Sequence, residues 1–264
     1  RNLGRIPYPM LRRKGEPGFS RISWEESYQI LSERLREIDP KRFAFFVTAR
    51  GVTNEVYYIA QKVARFLGTN NVDNAARICH SPSTAAMKAA IGYTASTCSY
   101  KDLYGTDLIV FFGANPANDQ PVMTKYLHEA KKQGTKIALV NPYDEPAMKR
   151  YWVPSSVDSA LFGTDITDYW FPVSQGSDIA FLYGVLKILF ENDWLNHEFI
   201  ENHTVNLDQL RSQTDKVSWE DIVQQTGLTK NVIQEFAELI RDAKNAVLVW
   251  SMGITQHPWG ADGV

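Results

Sequence analysis

Asp107-Leu108-Ile109-Val110-Phe111-Phe112 decides how the rest of this 264-residue chain is read. Five apolar residues follow Asp107 without alternation, too few for a buried helix, and describe a strand covered on both faces. Gly113 to Gln120 is then a polar loop, Pro121 to Gln133 reads as a helix ended by Gly134, and Lys136-Ile137-Ala138-Leu139-Val140 is a second strand. Such a βαβ unit is parallel and right-handed. The pattern recurs on either side. Phe43-Ala44-Phe45-Phe46-Val47 is wholly apolar, again as expected of a strand covered on both faces; Thr48 to Asn54 turns the chain, and Asn54 to Leu67 is a helix closed by Gly68. Near the other end, a helix over Thr229 to Asp242 leads into the strand Ala246-Val247-Leu248-Val249-Trp250. The predicted fold class is α/β, doubly wound, with mainly parallel sheets and helices on both faces.

The other segments fit around these units. Residues 1–21, rich in Pro, Gly and Arg, form a surface approach. Ser23-Trp24-Glu25-Glu26 is a capping box, and Tyr28, Leu31, Leu35 and Ile38 share one helix face until Asp39-Pro40 stops it. Pro82 suits the first turn of a short helix running to about Ile91. Residues 192–229 alternate short helices with turns.

Composition narrows the function. Hydrophobic residues make up 44% of the chain, ample for a core. A net charge of −2 with interspersed signs gives no basic stripe, which argues against nucleic acid as a partner. No apolar run approaches the roughly 18 residues of a membrane span. Two cysteines, Cys79 and Cys98, make neither a disulfide framework nor a C-x-x-C pair, which fits a reducing cytoplasm. They also fall short of the roughly four thiolates of an iron-sulfur cluster, so this segment alone houses none. A start at Arg1 and an end at Gly260-Ala261-Asp262-Gly263-Val264 are expected of a piece of a longer polypeptide.

Chemistry-bearing residues gather where strands end. Asn74-Ala75-Ala76-Arg77-Ile78-Cys79-His80-Ser81-Pro82-Ser83 holds one cysteine beside a histidine. A thiolate is a soft metal ligand or a nucleophile, while a lone cysteine is as often a small buried apolar residue. His80 is poorly placed to deprotonate Cys79, because adjacent side chains point about 100° apart on a helix and to opposite faces of a strand. The loop Gly113-Ala114-Asn115-Pro116-Ala117-Asn118-Asp119 is neither G-x-G-x-x-G nor a P-loop, which disfavours NAD and ATP. It is turn chemistry or a ligand loop of another kind. Val140-Asn141-Pro142-Tyr143 ends the next strand. Gly176-Ser177-Asp178-Ile179-Ala180 starts a helix, where Asp178 favours the dipole. Ser251-Met252-Gly253-Ile254-Thr255-Gln256-His257, by itself, is a post-strand glycine loop.

Taken in this order, these segments resemble the molybdopterin oxidoreductases of the dimethyl sulfoxide reductase family, and more narrowly the catalytic (alpha) subunits of formate dehydrogenases. Arg77 to Ser83, with Gly68-Thr69-Asn70-Asn71-Val72-Asp73 upstream, looks like the metal-ligand region; Asn115-Pro116-Ala117-Asn118 looks like the pterin-dinucleotide loop; Ser251 to Gln256 resembles Gly-Met-Gly-(Val or Ile)-Thr-Gln. The resemblance implies a bis-molybdopterin guanine dinucleotide carrying molybdenum or tungsten. Cys79 would ligate the metal and His80 would assist proton transfer. Asn115, Asn118, Asp119, Asn141, Pro142, Gly176, Met252 and Gln256 would bind the cofactor, and Asp178 would hold its guanine. Residues 1–75 would be part of a discontinuous α/β domain and 76–264 the α/β cofactor-binding domain. The parent enzyme would take two electrons from a small substrate such as formate and pass them to an acceptor protein or subunit. An iron-sulfur cluster would belong to the region preceding this segment.

Three departures stand out. Ala49-Arg50-Gly51 replaces the family's Ser-Gly-Arg, Asn141-Pro142-Tyr143 replaces a common Asp-Pro-Arg, and residues 151–171 are longer than in well-known formate dehydrogenases. Two rival functions are a non-catalytic scaffold of the same fold and a cysteine-dependent hydrolase.

Overall fold

Leu108–Phe112 is buried at every position, and its alternate side chains enter two different cores. This is the two-sided coverage that its uninterrupted apolar run requires. The computed structural model describes residue 4 and residues 6–264, and the chain divides into two compact units, Arg1–Arg77 and Ile78–Val264.

In the first unit, helix α1 (Trp24–Glu37) is capped by Ser23, whose Oγ accepts the Glu26 N–H at 3.0 Å. The Glu26 carboxylate, expected to reach back to Ser23, lies instead 3.9 Å from the Arg13 guanidinium. Strand β1 (Phe45–Val47), helix α2 (Asn54–Phe66) and strand β2 (Val72–Asn74) form a parallel strand-helix-strand unit. Gly68, at φ +88°, closes α2 as its position predicted. Phe46 is 66% exposed, which corrects the expectation of a strand covered on both faces. A two-stranded sheet offers little area to cover, and Ala64 is the one buried hydrophobic residue among the described residues of this unit.

The second unit opens with α3 (Ser81–Ile91), where Pro82 occupies the first turn. It continues with β3 (Leu108–Phe112), α4 (Met123–Lys132), β4 (Lys136–Val140), β5 (Tyr169–Phe171), α5 (Asp178–Glu191), α6 (Trp219–Thr226), α7 (Lys230–Asp242) and β6 (Ala246–Trp250). The four strands form a parallel sheet in the order β6-β3-β4-β5. Leu108, Val110, Phe112, Ala138, Val140 and Phe171 pack with Phe181, Val185 and Ile188 of α5, Ile222 of α6, and Ile233 and Phe236 of α7. Ile109, Phe111, Ile137 and Leu139 face Met123, Leu127 and Ala130 of α4. Each large aliphatic or aromatic side chain so buried contributes roughly 1.5–3 kcal/mol relative to exposure, so helices on both faces stabilise the sheet.

The amino edge of this sheet is closed by two acids. Asp107 Oδ2 accepts the N–H groups of Lys244 and Asn245, both at 3.0 Å. Asp168 Oδ2 accepts Ile137 N–H and Lys131 Nζ, both at 2.8 Å. At the opposite edge the register sets Trp250 beside Phe112, Phe112 beside Val140, and Val140 beside Phe171. The strands therefore end flush, and their following loops leave from one row.

Residues 150–165 fold as a short antiparallel pair, Arg150–Tyr151 with Thr164–Asp165, around the helix Val157–Phe162. Buried His128 of α4 fastens it, with Nδ1 2.8 Å from Thr164 Oγ1 and Nε2 2.9 Å from Ser156 Oγ. No helix among the described residues is long and apolar enough to cross a membrane.

Candidate functional site

Parallel sheets bind ligands beyond the carboxyl ends of their strands, where loops diverge and helices begin. Here the row Phe112, Val140, Phe171, Trp250 is followed by Gly113–Asp119, Asn141–Pro142, Val173–Asp178 and Ser251–His257. Every sequence-predicted cofactor residue lies in one of these four segments.

Two glycines bring the first and last segments together. Gly113 has φ +52°, and its ideal Cβ position lies 2.6 Å from Gly253 Cα; a Cβ on Gly253 would lie 2.4 Å from Gly113 Cα. Their backbones touch, with Gly253 N–H donating to Gly113 O at 3.1 Å and Ser251 N–H to Phe112 O at 3.2 Å. The chain after β6, read alone as a glycine loop, makes a single helical turn, Met252–Thr255.

Asn141, Pro142, Gly176, Asp178, Met252 and Gln256 line one cavity of about 280 Å³, together with Gly113, Gly253 and His257. A second cavity of about 270 Å³ is lined by Asn115, Asp119, His80, Cys98 and Trp250, among others. The predicted set is thus divided between two cavities. Asn118 stands outside both; its backbone N–H donates to Asn115 Oδ1 at 3.3 Å, which caps the turn Pro116–Asp119. That capping is the turn chemistry such residues commonly perform.

Asp178 is at the first position of α5, behind the N-cap Ser177, and is buried. Burial pushes its carboxyl above the usual carboxylate range, against the opposing pull of a backbone hydrogen bond and of His257. His257, to which the sequence pattern assigns no role, donates from Nε2 to Gly253 O at 2.8 Å and sets its ring against Gly176. A carboxylate buried at a helix start beside an imidazole is an acceptor held ready for hydrogen-bond donors.

Cys79 is half-buried and free of any disulfide. Its Sγ is 3.5 Å from Met252 Sδ, and its carbonyl accepts Thr255 Oγ1–H at 2.8 Å. Gln256 Nε2 donates to Ile78 O at 3.0 Å. The turn after β6 therefore grips the backbone on which the cysteine stands. His80 is the N-cap of α3; its Nδ1 is 3.1 Å from Ser83 Oγ, which also accepts Trp250 Nε1–H at 2.9 Å. Whichever tautomer is present, Nδ1 is engaged, and among the described residues no hydrogen bond is made by Nε2.

A family model described as Molybdopterin oxidoreductase matches residues 5–263. An uncharacterized oxidoreductase of Mycobacterium bovis is 31% identical over 261 residues, covering 96% of this chain and 34% of that protein. Formate dehydrogenase H of Escherichia coli is 29% identical over 265 residues, covering 98% of this chain and 35% of that protein. Among solved structures, acetylene hydratase from Pelobacter acetylenicus superposes with a TM-score of 0.73 at 20% identity, over 98% of this chain and 34% of that one. This last likeness speaks for the fold alone. The chain spans about a third of the length of these relatives.

Proposed function

Because the chain belongs to the molybdopterin oxidoreductase family, we propose that it carries the metal-ligand and dinucleotide-binding part of an enzyme that oxidises a small substrate such as formate by two electrons. The observation that carries this reading is Cys79, clasped by the carboxyl-end turn Met252–Gln256 in the same row as the other polar strand ends. The cofactor in this reading is a bis-molybdopterin guanine dinucleotide with molybdenum or tungsten, and the electrons leave to an acceptor protein or subunit.

The residues suit such a group. Among the described residues no cluster of three or more His, Cys, Asp or Glu could hold a metal by itself. Cys79 would offer a single soft thiolate to the metal that the cofactor carries. The buried acceptor Asp178 lines a cavity of about 280 Å³ together with Asn141, Gly176 and Gln256, where a polar edge of the cofactor would meet it. When bound, the cofactor supplies the two-electron redox step.

This chain's own residues bind, orient and handle a proton. Asp178 accepts from a donor edge such as that of guanine, while Asn141 is held still for its part: its Nδ2 donates to Tyr143 O at 2.6 Å and its carbonyl accepts Trp170 Nε1–H at 2.9 Å. Cys79 offers its sulfur. His80, with Nδ1 committed to Ser83, takes or gives a proton at Nε2. The hydrolase alternative finds little support, because the neighbour of Cys79 Sγ is a thioether and the imidazole of His80 is turned to Ser83.

Substitution of Cys79 in the full-length protein tests the reading. Cys79→Ser exchanges a soft donor for a hard one and should change the molybdenum spectrum and remove most turnover, while the dinucleotides stay bound. Normal turnover with an unchanged spectrum would refute it, and absence of metal from the wild-type protein would favour the scaffold.

A further inference from the structure

We infer that Thr255 is a positioning residue: its hydroxyl holds the Cys79 backbone so that the Cys79 thiol is aimed at the Met252 thioether and away from open solvent. The inference rests on the role proposed for Cys79, and no role has been given to Thr255.

Thr255 is buried, and its Oγ1 donates to Cys79 O at 2.8 Å across 176 residues of sequence. A threonine in a helix most often returns its hydroxyl to its own helix's carbonyls. Thr255 instead reaches across to the last residue of the turn Ala76–Cys79, at the junction with α3. That carbonyl sits where the chain leaves one turn and enters another, so it has no continuing helix to satisfy it. Gln256 acts beside it, with Nε2 bonded to Ile78 O at 3.0 Å and 3.5 Å from Met252 Sδ. Two successive carbonyls are thus pinned by two successive side chains. Met252, one turn earlier, supplies the sulfur that meets Cys79 Sγ.

The base of this clasp is rigid. The turn Met252–Thr255 is fixed to the end of β3 by the Gly113–Gly253 contact, and Thr255 O lies where Gly260 comes so close that a Cβ there would be 2.2 Å away. A displaced hydroxyl at 255 is therefore not made good by movement of the turn. What moves is the Ile78–Cys79 backbone, and with it the direction of the thiol. A ligand sulfur must arrive from one direction, so this orientation bears on the metal role.

Thiol accessibility reads the clasp without any metal. Intact protein produced without molybdate is alkylated with iodoacetamide at fixed pH, and peptide mass spectrometry gives the Cys79 rate relative to exposed Cys98. Thr255→Val keeps the shape and removes the donor; the ratio should rise about fivefold to tenfold, the shift in local opening expected from one lost hydrogen bond. Thr255→Ser restores the hydroxyl and should stay within about twofold of wild type, a rescue that a packing role would not give. Exposed Gln256→Leu should raise the ratio in the same direction, and it carries the test should Thr255→Val fail to fold. In the holoenzyme, the Mo(V) resonance of Thr255→Val should broaden while cofactor content is retained. An unchanged ratio in Thr255→Val, a serine variant as reactive as the valine one, or an unchanged Gln256→Leu standing alone overturns the inference. The proposed metal role fails separately, through an unaltered spectrum in Cys79→Ser.

Discussion

Gly253→Ala should be among the most damaging single-methyl additions in this chain. Gly253 does not have a positive φ, so the backbone itself accepts alanine; the difficulty is wholly one of space. The new Cβ would stand 2.4 Å from Gly113 Cα and 2.6 Å from Gly113 O, and both are backbone atoms that no rotamer change can move away. The two strand-end loops must separate, which overpacks the junction at about 1–3 kcal/mol and endangers the 3.1 Å bond from Gly253 N–H to Gly113 O, worth about 0.5–1.5 kcal/mol more. A loss of about 2–4 kcal/mol follows from the two together. Urea unfolding followed by circular dichroism measures it, provided the m-value is unchanged. Gly113→Ala should cost more, since φ +52° adds strain to a 2.6 Å clash. The double variant should cost less than the sum, because one contact is lost only once. A Gly253→Ala midpoint indistinguishable from wild type, or strict additivity of the pair, would show that the glycines do not touch as described.

Three further outcomes are expected. Asp178→Asn should act in opposite directions on stability and on binding. Burial raises the folded-state pKa above the ordinary 3.8, so the folded protein holds this proton more tightly and stability falls as pH rises through and above that value. The cofactor-free asparagine variant should therefore be the more stable near neutrality and show a flatter dependence of Tm on pH, yet bind the dinucleotide more weakly by about 1–3 kcal/mol. A variant destabilised at pH 7 would contradict the burial argument. His80→Gln in the full-length protein should keep a near-normal metal spectrum and slow turnover by about 10² to 10⁴-fold; undiminished turnover would remove His80 from the chemistry. His128→Phe leaves the hydroxyls of Thr164 and Ser156 without their imidazole, so hydrogen exchange should speed up at Val153 N–H, which donates to Ser159 Oγ within the same network. Wild-type protection there would show that His128 does not fasten residues 150–165.

What could be read of the fold depended on whether an element's pattern is set by its own residues. Leu108–Phe112 and Lys136–Val140 could, since an uninterrupted apolar run of strand length beside a glycine-ended helix fits little but a buried strand. Tyr169–Phe171 could not. Three aromatic residues inside a stretch of Trp, Pro, Ser and Gly carry no period, and only the adjacent edge of β4 makes them a strand. Phe46 misled for the converse reason: its neighbours promise burial, but burial depends on what packs above the sheet, and that lies outside the local sequence.

The candidate site divides along the same line. Cys79, Asp178 and the polar loops were legible because each follows a strand or opens a helix, and because their order along the chain resembles one family. Both reasons reach the loop after β6 that holds Thr255 and His257, but neither gives these two residues a role. Nothing local distinguishes Thr255 from any threonine in a turn; its meaning is a carbonyl 176 residues away. Only when the register sets Trp250 beside Phe112 does the turn after β6 come down on Gly113 and Cys79 together. A strand register shifted by one residue would turn every side chain to the opposite face, and the clasp on Cys79 would be lost with the packing. The same alternation that fills two cores therefore also aims the thiol, so substitutions deep in β3 or β6 should disturb Cys79 before they unfold the sheet.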